Sequence, residues 1–160
     1  MPLWREDLII KAQQNVTKFN VKFDRNSSNC LGYLITTITG SDCPSKVVLP
    51  RLLDPDTGKP FNPNDTPADA LISVMEKNGI TLIPVASLEE AKGKNAVLLY
   101  GWFYYFDMFG NICFDDFHVV HQNDDGSYDH KPDGYKPAEV LSDLDIENLS
   151  KEDKLFVFLY

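Results

Sequence analysis

Asp115-Asp116-Phe117-His118-Val119-Val120-His121-Gln122-Asn123-Asp124-Asp125-Gly126-Ser127-Tyr128-Asp129-His130-Lys131-Pro132 carries all three histidines of the chain and reads as a β-hairpin. Phe117 to Gln122 is rich in strand formers, and Asn123-Asp124-Asp125-Gly126 is a turn with a stated chemistry. Asn opens a type I turn, two Asp fill its centre, and Gly takes the left-handed position of a three-residue loop. Closing the hairpin there sets Asn123 opposite Ser127, Val120 opposite His130 and His118 opposite Pro132. Side chains alternate faces along a strand, so His118 and His130 share one face as diagonal neighbours. His121 points outward on the other face, opposite Asp129. A slip of one residue would exchange the two faces.

A second stretch lies far upstream, Arg25-Asn26-Ser27-Ser28-Asn29-Cys30-Leu31-Gly32-Tyr33-Leu34-Ile35. Small polar residues run into apolar positions at Leu31, Leu34, Ile35 and Ile38, which is helical spacing. Ser28 or Asn29 can cap that helix, leaving Cys30 in its first turn. There the helix dipole and unpaired N–H groups are expected to lower a thiol's pKa. A helix-start Cys, a strand His and a polar residue on the next strand form the pattern of a nucleophile, its base and an orienting group. Cys30 is the candidate nucleophile and His118, titrating near neutrality, the candidate base. His130 orients His118, with Asp116 in reserve. The oxyanion hole would use the Cys30 N–H, with Asn29 and Asn26 as candidates for a second donor. Asn29 and Asp116 are assigned to substrate contact. The competing readings are a small buried hydrophobe for Cys30 and satisfied strand or surface residues for the histidines.

At 160 residues the chain has the size of one domain. A formal charge of -9 argues against nucleic acid or an anionic membrane as partner. Three scattered cysteines suggest neither a disulfide framework nor a zinc knuckle. The odd spacing of His118 and His121 on one strand sends them to opposite faces, so no shared metal ion is expected. No cofactor is implied. The N-terminus lacks the pattern of a secretory signal, and no apolar run has the length of a membrane span. The expectation is a monomer, either cytoplasmic or exported by a non-classical route.

Along the rest of the chain, Leu8, Ile9, Ala12 and Val16 predict an opening helix, and Val16, Phe19, Val21 and Phe23 suggest a short strand after it. The stretch from Cys43 to Thr66 contains five prolines and reads as a lid or wall over a site. Thr66-Pro67 starts a helix with Ala68, Leu71, Ile72 and Met75 buried, ending at Asn78-Gly79. Ile80 to Val85 is a short strand, and Ser87-Leu88-Glu89-Glu90 a capping box. Ala96 to Phe106 and Ile112 to Gln122 read as two long strands, and Leu155 to Tyr160 as a closing one. Asp143, Asp145 and Glu147 form a solvated acidic face. Helices first and an antiparallel meander second make the fold class α+β.

Two motifs resemble those of bacterial papain-like cysteine hydrolases of the NlpC/P60 type. They are Asn29-Cys30-Leu31-Gly32-Tyr33 and Asp116-Phe117-His118, followed by Asp125-Gly126 and by Tyr128-Asp129-His130-Lys131-Pro132. In size and order the chain is also similar to short amidase effectors delivered by type VI secretion. The resemblance implies a single papain-like domain over residues 1–160, with N-terminal helices packed on an antiparallel sheet. It also implies amide hydrolysis through a thioester, on bacterial cell-wall peptide or a protein target. A non-catalytic binding or immunity-type protein on the same scaffold is the alternative, and an acyltransferase a third.

Overall fold

In the computed structural model of the chain, the described residues are 10–49, 67–101, 103–106, 108–109, 112–115, 117–149, 151 and 155–160. Of these, 103–106, 112–115 and 143 are followed through the backbone. The first helix, α1 (Lys11–Lys22), is longer than expected and replaces the short strand. Ala12, Val16 and Phe19 recur at helical spacing and are buried, whereas Val21 is 83% exposed. Alternation was therefore the wrong period for this segment.

Helix α2 (Cys30–Thr39) begins at Asn29, whose side chain accepts the Gly32 N–H at 3.0 Å. It ends at Gly40, where a φ of 72° fits the left-handed cap and the N–H returns to the Thr36 carbonyl. Thr36, Thr37 and Ile38 are poor helix formers, and burial of Leu31, Leu34 and Ile35 holds the helix instead. Helix α3 (Ala68–Lys77) buries Ala70, Leu71, Val74 and Met75. Its inward face is rotated from the expected one, and Ala68 and Ile72 lie at the margin.

The sheet has six strands: β1 (Ile83–Val85), β2 (Ala96–Tyr100), β5 (His118–Gln122), β6 (Tyr128–His130), β7 (Glu139–Val140) and β8 (Phe156–Leu159). Their spatial order is β1-β8-β2-β5-β6-β7, with every pairing antiparallel. Pro84 has no N–H to give a ladder, in keeping with β1 at the edge. A 3₁₀ turn over Glu89–Ala91 precedes β2. There the Glu90 carboxylate accepts the Ser87 N–H at 3.1 Å, the expected half of the capping box.

The two long strands of the sequence reading are each divided. Gly101, with a φ of 70°, turns the chain out of the sheet after Tyr100. The excursion forms a separate hairpin of β3 (Phe103–Phe106) and β4 (Ile112–Asp115) before β5 rejoins the sheet. The fold is thus α+β with one main antiparallel sheet.

Both faces of that sheet are covered. Leu31, Leu34, Leu71 and Met75 pack with Val97, Leu99, Val119 and Phe158 on one side. On the other, Leu98 and Val120 pack with Leu149 and Ile146 of α4 (Asp143–Leu149). Asp145 and Glu147 are exposed on that helix, as the acidic run suggested.

Gly32 sits where the segment after α2 folds back over the helix start. A Cβ there would lie 1.8 Å from the Ser45 carbonyl oxygen and 2.2 Å from Ser28 Oγ. Backbone cannot yield as a side-chain tip can, so Gly32→Ala is expected to destabilise the protein by about 1–3 kcal/mol. Urea unfolding would measure it, and a wild-type midpoint would refute this packing of Ser45.

Candidate active site

The β5–β6 hairpin closes in the register read from its turn. Asn123 N–H donates to the Ser127 carbonyl at 2.9 Å, Gly126 has a φ of 87°, and His121 lies opposite Asp129. His118 and His130 consequently meet, with His118 Nε2 2.7 Å from His130 Nδ1. Strand β7 adds Glu139 directly opposite His130, and its Oε1 lies 3.0 Å from His130 Nε2.

The carboxylate fixes the direction of this chain, because it can only accept. With both imidazoles neutral, His130 donates from Nε2 to Glu139 and accepts at Nδ1 from His118 Nε2. The lone pair of His118 is then on Nδ1, which is left free to accept a proton. Glu139 was not among the residues singled out in the sequence. The brief Ala138-Glu139-Val140 segment holds no sign of its partner until β7 is paired.

Cys30 is the first residue of α2 and is 7% exposed. Its sulfur lies within reach of the backbone N–H groups of Val119, Leu31 and Cys30 itself. The thiol therefore rests against the peptide that follows His118, at the start of β5. Cys30 and Val119 belong to the core cluster on the α2 face. The His118 ring stands edge-on to Tyr100, which faces the α4 side. Among the described residues no hydrogen bond joins Cys30 to His118: the His118 ring lies with Tyr100, His130 and Glu139 on the α4 side of the sheet and the Cys30 thiol on the α2 side.

Burial reverses two expectations about ionisation. It pushes the Cys30 thiol up from its ordinary value, outweighing the three N–H groups and the charge of Lys131 that act to lower it. Burial and the neighbouring His130 push His118 down to about 4. At neutral pH the two groups rest as thiol and neutral imidazole rather than as an ion pair.

The other face of the hairpin holds a second polar system. Asp129 is fully buried and accepts from Tyr33 Oη at 2.5 Å and Asn123 Nδ2 at 2.8 Å. His121 Nδ1 lies 3.0 Å from Asp129, and its Nε2 meets the Tyr160 hydroxyl. His121 is paired as expected but buried, not outward. Burial and the Asp129 carboxylate push both phenols up, so each is a hydroxyl donor at ordinary pH.

Asn29 does not present its side chain to a substrate. Its Oδ1 accepts from Gly32 and Val47 N–H, at 3.0 and 3.1 Å, and its Nδ2 donates to the Val47 carbonyl at 2.7 Å. The carboxamide thereby caps the helix and clamps the segment beyond Cys43, which forms a wall over the helix start as far as Leu49. Asp116 and residues 50–66 lie outside the described residues. A cavity of about 290 Å³ opens beside His130 and Glu139, lined also by Tyr100, Asp145 and Leu149 but not by Cys30. Among the described residues no three His, Cys, Asp or Glu side chains gather as a metal site.

The low His118 pKa predicts a pH effect on stability. Between about 4 and 6.5 the unfolded chain binds a proton at this position that the folded chain does not. Stability therefore rises with pH across that window and is lost as pH falls through it. His118→Gln should remove up to about 1.4 kcal/mol per pH unit of that slope. Urea midpoints at several pH values would test it, and an unchanged slope would count against a buried, neutral His118. Comparison with protein-family models, curated proteins and solved structures finds no match for the chain.

Proposed function

We propose that the chain is a papain-like cysteine amidase or peptidase. The observation that carries this reading is the 2.7 Å contact between His118 Nε2 and His130 Nδ1, on a strand whose next peptide N–H meets the Cys30 thiol. That contact leaves Nδ1 of His118 as the basic atom and gives it an orienting partner, backed by Glu139.

The reaction starts from neutral partners. The His118 ring lies on the α4 side of the sheet and the Cys30 thiol on the α2 side, so the Sγ proton reaches His118 Nδ1 through an intervening water as Sγ attacks the amide carbonyl carbon. The N–H groups of Cys30, Leu31 and Val119 supply donors for the charge that develops. His118 returns the proton to the departing amine, which leaves a thioester on Cys30. Water then attacks, His118 takes its proton, and the C–S bond breaks to release the acid and restore the thiol. The substrate class is the peptide part of bacterial cell wall, or an isopeptide or side-chain amide of a protein. The net charge of -9 favours the protein target over an anionic polymer.

One observation favours the alternative of a binding protein without chemistry. Cys30 is nearly covered and its thiol is held protonated. Both readings face one experiment: incubation with cell-wall peptides and with isopeptide-linked protein, with mass spectrometry of the Cys30 peptide to trap an acyl-enzyme. Turnover should fall by about 10²–10⁴ in His118→Ala. The acid limb of kcat/KM should lie near pH 4, where His118 becomes protonated. No adduct on Cys30 with any of these substrates, together with sluggish alkylation by iodoacetamide, would leave the binding protein as the reading.

A further inference from the structure

The cavity of about 290 Å³ on the α4 side of the sheet takes part in no step above. Tyr100, Leu141 and Leu149 give it an apolar wall, continuous with the cluster that α4 packs on the sheet. Its polar lining is His130, Glu139, Asp145 and Asn148. No described Lys or Arg lines it, and among the described residues neither carboxylate is paired with one.

Each carboxylate has one oxygen engaged. Glu139 Oε1 lies 3.0 Å from His130 Nε2. Asp145 Oδ2 accepts from the Ser142 hydroxyl at 2.7 Å and the Ser142 N–H at 3.2 Å. Glu139 Oε2, Asp145 Oδ1 and the Asn148 carboxamide have no hydrogen-bond partner among the described residues. Three residues thus bring three open acceptors to one cavity.

That count selects among cations. An ammonium has three N–H donors and no acceptor, so it can use one oxygen from each residue. A guanidinium is best met by both oxygens of one carboxylate, and neither carboxylate has both open. A hard divalent ion takes about six or more oxygens, and among the described residues no metal-binding group of side chains occurs. The volume lies near the lower limit of small-ligand pockets, roughly 300 Å³, which suits a single alkyl chain and its head group.

We propose that this cavity binds a primary alkylammonium of lysine side-chain size. Its stem lies along Tyr100, Leu141 and Leu149, and its head group sits at Glu139, Asp145 and Asn148. Contact at Glu139 Oε2 leaves Oε1 to His130, so the histidine chain and the ligand coexist. The site is separate from the Cys30 thiol and does not depend on Cys30 being a nucleophile.

The test is a titration of the isotope-labelled full chain with Nα-acetyl-lysine methylamide, followed by backbone amide shifts. Saturable shifts are expected at Tyr100, Leu141 and Leu149. Nα-acetyl-norleucine methylamide keeps the stem without the ammonium and should bind about tenfold more weakly or worse. The lysine probe should lose as much on Asp145→Asn, which keeps the oxygen that accepts from Ser142. Absence of saturable shifts, equal binding of norleucine, or full binding by Asp145→Asn overturns the proposal. So does tighter binding of the arginine analogue or of calcium to the same residues.

If Asp145→Asn does not fold, the lysine-to-norleucine ratio in wild type decides alone. n-Butylamine separates the sources of the ligand. Affinity equal to that of the lysine probe supports a free amine, and several-fold weaker affinity supports a lysine within a polypeptide. Failure of the hydrolase reading looks different, because it is read at Cys30 and would leave these shifts in place.

Discussion

A carboxylate without access to water, that of Asp129, is the point on which the architecture depends. Four other elements reach it: Tyr33 from α2, Asn123 from the hairpin turn, His121 from β5, and Asn15 from α1 at 3.4 Å. A buried carboxylate is tolerable only when its oxygens are well supplied with donors. Each donor here comes from a different segment, so satisfying one group fixes how two helices sit on the hairpin. Asn15 also donates to Asn123 Oδ1 at 3.0 Å, which ties the turn to α1 a second time.

The same register that gathers donors around Asp129 aligns His118, His130 and Glu139 on the opposite face. The two systems are inseparable, since a one-residue slip of β6 would carry Asp129 to the α4 side and His130 to the α2 side. A hairpin under two simultaneous polar constraints tolerates fewer alternative pairings than one defined by apolar contacts alone. The neutral direction of proton donation along Glu139, His130 and His118 thus depends on a buried carboxylate on the far face, although among the described residues no hydrogen bond connects the two.

Much of this was legible in the sequence because it is local. The Asn123–Gly126 turn carries its own chemistry and dictates which histidines share a face. Asn29 before an apolar run marks a helix start. What was not legible depends on distant partners. Gly101 inside an apolar, aromatic run can be a bulge, a bend or a plain weak point, and only pairing of the β3–β4 hairpin decides for a bend. Glu139 gains its role from β7 lying beside β6. Asn29 looked available for a substrate because its clamp on Val47 comes from a segment with no regular pattern. Val21 and Phe23 mimic alternation at the end of a helix, where two residues are too few to separate the periods.

Burial explains why the ionisation states were misjudged, and it changes what the site can do. A helix start does favour a thiolate, and the N–H groups around Cys30 act in that direction. Excluding water from the same thiol acts against it more strongly, and exclusion around His118 disfavours the imidazolium in turn. Both penalties fall on the charge-separated state, so a resting ion pair is the arrangement this environment stabilises least. In the proposed hydrolysis, proton transfer would then accompany attack rather than precede it.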